Sequence, residues 1–233
     1  MILDPTNQYI ATIISQCDGS GKEILEIGCG KGRITRDLAK HAKRVVATDP
    51  DAAALEKARA TITADNVEFM HAPTGMPDFP AETFDMVIYT LSFHHVPIAD
   101  MSSSLRRAAS LIRESGAIVI VEPGDGGSFT EAKERFGAGS GDERPAREAA
   151  VRALHALEGW IAGETVHFRT LFQFNDAEDF FTSLLPDYRQ QPEAFIREVR
   201  SFLEQHRTAD GIILEADRRL NVLRRAGSGQ EQK

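Results

Sequence analysis

Ile24-Leu25-Glu26-Ile27-Gly28-Cys29-Gly30-Lys31-Gly32 is the stretch whose reading decides the fold. An apolar run ends in a glycine-rich turn, and a helical pattern opens at once through Arg33, Ile34, Leu38 and Ala39. A buried strand, a tight loop and a helix N-terminus in that order make a nucleotide-type binding edge. Glycines there let the backbone approach a ligand, because no Cβ intervenes. The helix start offers unpaired N–H groups and partial positive charge to an anion. A dinucleotide site follows the spacing G-x-G-x-x-G, and here Arg33 stands at the third glycine position. The chain has G-x-G-x-G instead, with Glu26 two residues upstream and Asp49 further on. Taken alone, the glycines also suit a strand-to-helix turn with no ligand.

Working outward, strands are expected at 23–28, 44–48, 67–70, 84–89 and 117–121. Helical patterns separate most of them, at 31–41, from Asp51 through Ala52, Leu55 and Ala58, and at 98–113. Asp51 suits a helix cap. The 84–89 run is apolar almost throughout, as a strand buried on both faces must be. Upstream, residues 5–17 read as an amphipathic helix with Tyr9, Ile10, Ile13 and Ile14 on one face. Strands alternating with helices imply a parallel sheet covered on both faces, with ligands outside the carboxyl ends of the strands. Glu26, Asp49, the 71–76 loop, His94, His95 and Glu122 all fall at those ends.

Beyond Glu122 the pattern is less regular. Gly124 to Gly141, rich in Gly and charge, reads equally as a flexible lid or as a surface linker. Helices are expected at 143–161, 176–185 and 193–206, and an alternating strand at 165–174. Residues 212–223 fit helical spacing through Ile213, Ala216, Leu220 and Leu223, and also fit a strand. The whole reads as one domain over 1–225, with its core at 23–123, a substrate-covering part at 124–225 and a disordered tail at 226–233.

Totals limit the function. A chain of 233 residues can bury a sizeable core. A net charge of −8 argues against a broad basic surface for nucleic acid. Cys17 and Cys29 are too few for a disulfide framework or a thiolate metal site. His155, His167 and Trp160 read as packing, and no metal site is expected. The N-terminus lacks the pattern of a signal peptide, and no apolar run nears the ~20 residues of a membrane span. A cytoplasmic location with no membrane partner follows as the expectation.

With Glu26, Gly28, Cys29, Gly30, Gly32 and Asp49 in this arrangement, residues 23–123 resemble the class I S-adenosylmethionine-dependent methyltransferases of the small-molecule, type 11-like kind. The segment from Phe84-Asp85 to Phe93-His94-His95-Val96 resembles the family's fourth strand and its following His-pair loop. The resemblance implies a Rossmann-like α/β fold. Its seven-stranded mixed sheet has five parallel strands and an antiparallel edge pair, and this makes strand the preferred reading of 212–223. S-adenosylmethionine is the implied cofactor. Gly28, Cys29, Gly30 and Gly32 would wrap its methionine part, Glu26 would reach the amino group, and Asp49 would take both ribose hydroxyls. The family's adenine-binding acid is absent, since Ala72 falls at its place. The adenine is then left to backbone groups and to walls such as Pro50, Ala72, Pro73 and Met76, with Thr90 and Leu91 completing the cofactor set.

The implied reaction is methyl transfer to a small-molecule acceptor by direct in-line displacement, with no covalent enzyme intermediate. His94 or His95 is the candidate general base, and shaping of the loop is the alternative role for both. Tyr9, His95 and Glu122 are candidate substrate contacts. The rival readings are an RNA or protein methyltransferase, an idle cofactor-binding or partner protein, and an NAD(P) protein disfavoured by Arg33. The acceptor's identity and the oligomeric state, a dimer included, stay open.

Overall fold

Mainly apolar runs become the strands of a sheet, and this chain uses five parallel ones, the central ones buried and the edge strand Val67–His71 part-exposed. The computed structural model describes residues 1–227. In chain order its first elements are β1 (Ile2–Leu3), α1 (Gln8–Gln16), β2 (Glu23–Ile27), α2 (Arg33–Leu38), β3 (Arg44–Asp49), α3 (Ala52–Thr61) and β4 (Val67–His71). Then come β5 (Phe84–Thr90), α4 (Met101–Leu111), β6 (Ile112–Pro123), α5 (Ser128–Phe136), α6 (Arg144–His155) and β7 (Trp160–Ala162). The last are β8 (Val166–Phe174), α7 (Ala177–Leu184), α8 (Glu193–Glu204), β9 (Arg207–Thr208) and β10 (Gly211–Arg225).

These elements fall into two compact units. The larger comprises residues 10–122, 144–166 and those from 219 onward. Its parallel strands run in the order β4-β3-β2-β5-β6. Ile24 faces Val45 on one side and Met86 on the other, so the chain reverses its direction of winding at β2. A crevice opens outside the carboxyl ends at such a reversal. The second half of β10 belongs to this unit and pairs antiparallel with β7, Leu223 opposite Ala162. Leu25, Val87, Tyr89, Leu105, Ile118 and Leu154 are among its core residues.

The smaller unit comprises residues 1–9, 123–143 and 167–218. In it β8 pairs antiparallel with β1, Leu3 opposite Phe172, and β9 with the start of β10, Thr208 opposite Gly211. Its core is aromatic. Phe129 stacks on Phe172 with centroids 3.6 Å apart, and Phe174, Phe180 and Phe181 are fully buried.

The seven expected strands are present, and the short β1, β7 and β9 are additional. The 212–223 segment is a strand, its side chains alternating in and out over most of its length. Two expectations are corrected. Residues 124–141 are not a bare linker, because α5 lies within them and buries Phe129, Ala132 and Phe136. The helix expected at 143–161 ends at His155, since Gly159 (φ +75°) turns the chain and Trp160–Ala162 joins a ladder. The tail expected at 226–233 lies outside the described residues from 228 on. No helix among the described residues is long and apolar enough to cross a membrane.

Candidate functional site

The reversal at β2 brings the glycine loop against the end of β5. Gly28 has φ +77°, and a Cβ on it would sit 2.4 Å from the Ser92 Cβ, so only glycine fits. Ser92 seals this contact by donating its hydroxyl to the Ile27 carbonyl at 2.5 Å. A Cβ on Gly30 would meet nothing within 4 Å, which leaves that backbone open to a ligand.

Asp49, at the end of β3, holds the loop in place. One carboxylate oxygen accepts from the Gly30 N–H at 2.7 Å and the other from the Asp51 N–H at 2.8 Å. Each oxygen has two acceptor sites, so the carboxylate keeps capacity for a vicinal diol. Asp51 in turn caps α3, accepting from the Ala53 and Ala54 N–H groups.

Glu26 is buried and accepts from the Thr35 hydroxyl at 2.6 Å. Burial pushes its carboxyl up to about 7, with Thr35 and Arg33 opposing and the Asp49 charge reinforcing the rise. Burial likewise pushes the Cys29 thiol well above its ordinary range, and the charges of Glu26 and Asp49 push the same way. Its Sγ points to the Gly30 carbonyl at 3.7 Å.

The two histidines part company. His95 is exposed and lines the cleft, whereas His94 is buried with its Nδ1 2.7 Å from a Glu122 carboxylate oxygen. The other Glu122 oxygen is sealed and has no hydrogen-bond partner, as is the Thr90 hydroxyl. The imidazole rings lie 4.1 Å apart, tilted.

A cleft of about 960 Å³ gathers Gly28, Gly30, Asp49, Pro50, Pro73, Met76, Leu91 and His95. Glu26, Cys29, Gly32, Ala72, Thr90, His94 and Glu122 do not line it. Ala72 is buried, its N–H bonded to the Asp49 carbonyl, so no side chain fills the missing acid's place there. Tyr9 lies in the smaller unit, where its hydroxyl accepts from Arg218.

The cleft also includes residues that sequence reasoning missed: Ser92, Val96, Pro97, Asp100, Ser103, Ser104 and Arg107. Most stand on the start of α4 and the turns before it, and a helix pattern gives no sign that its first turn borders a cavity. Arg107 is tied down by Asp78 at 2.9 Å and the Phe79 carbonyl at 3.0 Å. Leu91 has φ +55°, unfavourable for a branched side chain, and its N–H bonds to the Val121 carbonyl. The backbone is thus bent sharply just where β5 meets the cleft.

Residues 24–116 match the family described as methyltransferase domain. An uncharacterized methyltransferase of Geobacillus kaustophilus is 28% identical over 153 residues, 64% of either chain. The chain thus spans just under two thirds of that relative, and 55% and 49% of the next two. Among solved structures, YcgJ of Bacillus subtilis superposes with TM-score 0.62 at 13% identity, covering 94% of this chain and 98% of that one. An S-adenosylmethionine-dependent methyltransferase of Mesorhizobium loti gives 0.50 at 14%, covering 91% and 95%. At those identities the structures share the fold. The methyltransferase domain matched over residues 24–116 thus coincides with the glycine loop and the parallel strands of the larger unit.

Proposed function

We propose that the protein transfers the methyl group of S-adenosylmethionine to a small-molecule acceptor by direct in-line displacement. The observation that carries the reading is the loop at Gly28–Gly30 with the Asp49 carboxylate buttoned to it, opening on one cleft. The residues suit the cofactor: an open backbone at Gly30, with nothing within 4 Å of where a Cβ would stand, and an acceptor-only side chain for a diol. When bound, the cofactor supplies a sulfonium methyl open to attack from the side opposite sulfur.

The chain's own part is positioning and charge. Asp49 orients the sugar, and the Gly28–Gly30 backbone fixes the methionine end. Met76, Leu91, Val96 and the neighbouring prolines exclude water. His95, at the cleft wall, takes the acceptor's proton where the nucleophile carries one; His94, buried on Glu122, braces the loop that presents it. Glu26, buried behind the loop on the Thr35 hydroxyl, would support that loop from beneath. A net charge of −8 favours a small acceptor over RNA. Both cysteines are free and buried, which fits a cytoplasmic setting.

Calorimetry with S-adenosylmethionine, NAD and NADP tests the cofactor, and transfer of labelled methyl to extract metabolites tests the reaction. Micromolar binding of S-adenosylmethionine alone and label in a small-molecule fraction are expected. Label confined to RNA or protein refutes the acceptor class, and binding without any transfer makes the protein an idle binder.

A further inference from the structure

Asp100, Ser103, Ser104 and Arg107 all line the cleft, and all belong to the larger unit. They stand at i, i+3, i+4 and i+7, on one face of α4 and of the turn that leads into it. The other buried positions of α4, Met101, Leu105, Ala108 and Leu111, are apolar. Hydrogen bonds tie the polar stripe to the loop after β4. Arg107 donates to Asp78 and to the Phe79 carbonyl, and the Tyr89 hydroxyl meets Ser104 Oγ at 2.8 Å and Met76 Sδ at 3.5 Å. The stripe therefore walls the same end of the cleft as Met76, on the loop that begins at Ala72.

Most polar side chains of the cleft are already engaged. Asp49 holds Gly30 and Asp51, Ser92 the Ile27 carbonyl, Thr74 the Met76 carbonyl and Ser103 the Asp100 carbonyl. The Asp100 carboxylate is different. It stands at the start of α4 yet accepts none of that helix's N–H groups, so a stabilising cap goes unused. Among the described residues it has no hydrogen-bond or ion-pair partner. Ser104 is 8% exposed and backed by the sealed Tyr89. Burial pushes the Tyr89 phenol well above its ordinary range, so it keeps its proton and can donate it to the Ser104 oxygen. The Ser104 proton is then available to the cleft. The stripe thus offers an acceptor at Asp100 and, one turn on, a donor at Ser104.

We propose that Asp100 and Ser104 read the amino edge of the cofactor's adenine, Asp100 accepting from the exocyclic N–H and Ser104 donating to the neighbouring ring nitrogen. Adenine sets that donor beside that acceptor. Hypoxanthine, with oxygen in place of the amino group, would turn lone pairs toward a carboxylate that has no proton to offer. The inference deepens the methyl-transfer reading and rests on it for the identity of the ligand. Asp100 and Ser104 do from α4 what the Ala72 side chain cannot.

The test is calorimetry on the full chain with S-adenosylhomocysteine, the demethylated cofactor, and with its deaminated form S-inosylhomocysteine. Wild type is compared with Asp100→Asn and Ser104→Ala. Wild type is expected to prefer the adenine compound by about tenfold or more. Asp100→Asn, whose amide can turn either its oxygen or its NH2 to the base, is expected to lose most of that preference, and Ser104→Ala part of it. Circular dichroism checks the fold of both variants, and if Ser104→Ala fails to fold, the exposed Asp100 decides alone. No preference in wild type, or a preference that Asp100→Asn leaves intact, overturns the proposal, while tight binding of S-adenosylhomocysteine keeps the cofactor reading. Wild type that binds neither compound brings down the methyl-transfer reading itself, and this inference with it.

Discussion

The two units use buried polar side chains in opposite ways. In the larger, Glu26, Asp49, His94 and Glu122 gather at or just past the carboxyl ends of strands, and a Glu122 oxygen there is left without a partner. In the smaller, the interior is mainly aromatic, and its buried hydroxyls Thr130 and Thr170 reach the Gly126 and Ala216 carbonyls. Buried polar groups are costly unless hydrogen-bonded, and the larger unit sets most of these beside its cleft, each but one Glu122 oxygen held by a partner. The smaller unit bonds its buried polar groups among themselves, Arg218 to the Tyr9 hydroxyl and the Asp217 carbonyl included.

The contrast can be broken most forcefully in the aromatic core. Phe180→Ala is expected to cost about 3–5 kcal/mol, because a fully buried ring leaves a cavity. A denaturant midpoint shift of that size, with S-adenosylmethionine affinity unchanged in the protein still folded, supports the division of labour. A parallel loss of affinity contradicts it.

In the other unit the large effect should be on binding. On the proposed reading Asp49→Ala removes a charged acceptor for two hydroxyls, each such bond worth about 1.5–3 kcal/mol, so calorimetry should show roughly a hundredfold weaker S-adenosylmethionine binding. Undiminished affinity would remove the cofactor reading altogether.

Glu26 sharpens the comparison through pH. Its folded carboxyl sits near 7 against an ordinary 4.5, so the folded state holds a proton that the unfolded state releases. Its contribution to stability is therefore fully present below about 4.5 and is lost as pH rises to about 7. In Glu26→Gln the fall in Tm between pH 5 and pH 8 should shrink by a few degrees. An unchanged pH profile would show that the buried carboxyl titrates normally.

The smallest change belongs to the packed unit. Asp176 caps α7 by accepting the Asp179 N–H at 2.9 Å, and Asp176→Ala should cost about 1 kcal/mol in chemical denaturation, with no effect on ligand binding.

What was legible in the chain follows the same division. The central parallel strands show plainly because they are apolar runs buried on both faces, and β8 shows by its alternation. Asp49 and the glycines are legible because ligand chemistry restricts residue type. Helix α5 was hidden, since Phe129, Ala132 and Phe136 sit among glycines and charges that read as loop. The turn at Leu91 and the cleft-facing start of α4 carry no compositional mark, because tertiary contacts alone decide them.

Cys29 shows how a loop can carry sulfur and stay chemically quiet. Burial first, and the negative charges of Glu26 and Asp49 after it, hold the thiol in its protonated, sluggish form, so this position offers no ready nucleophile to an alkylating compound.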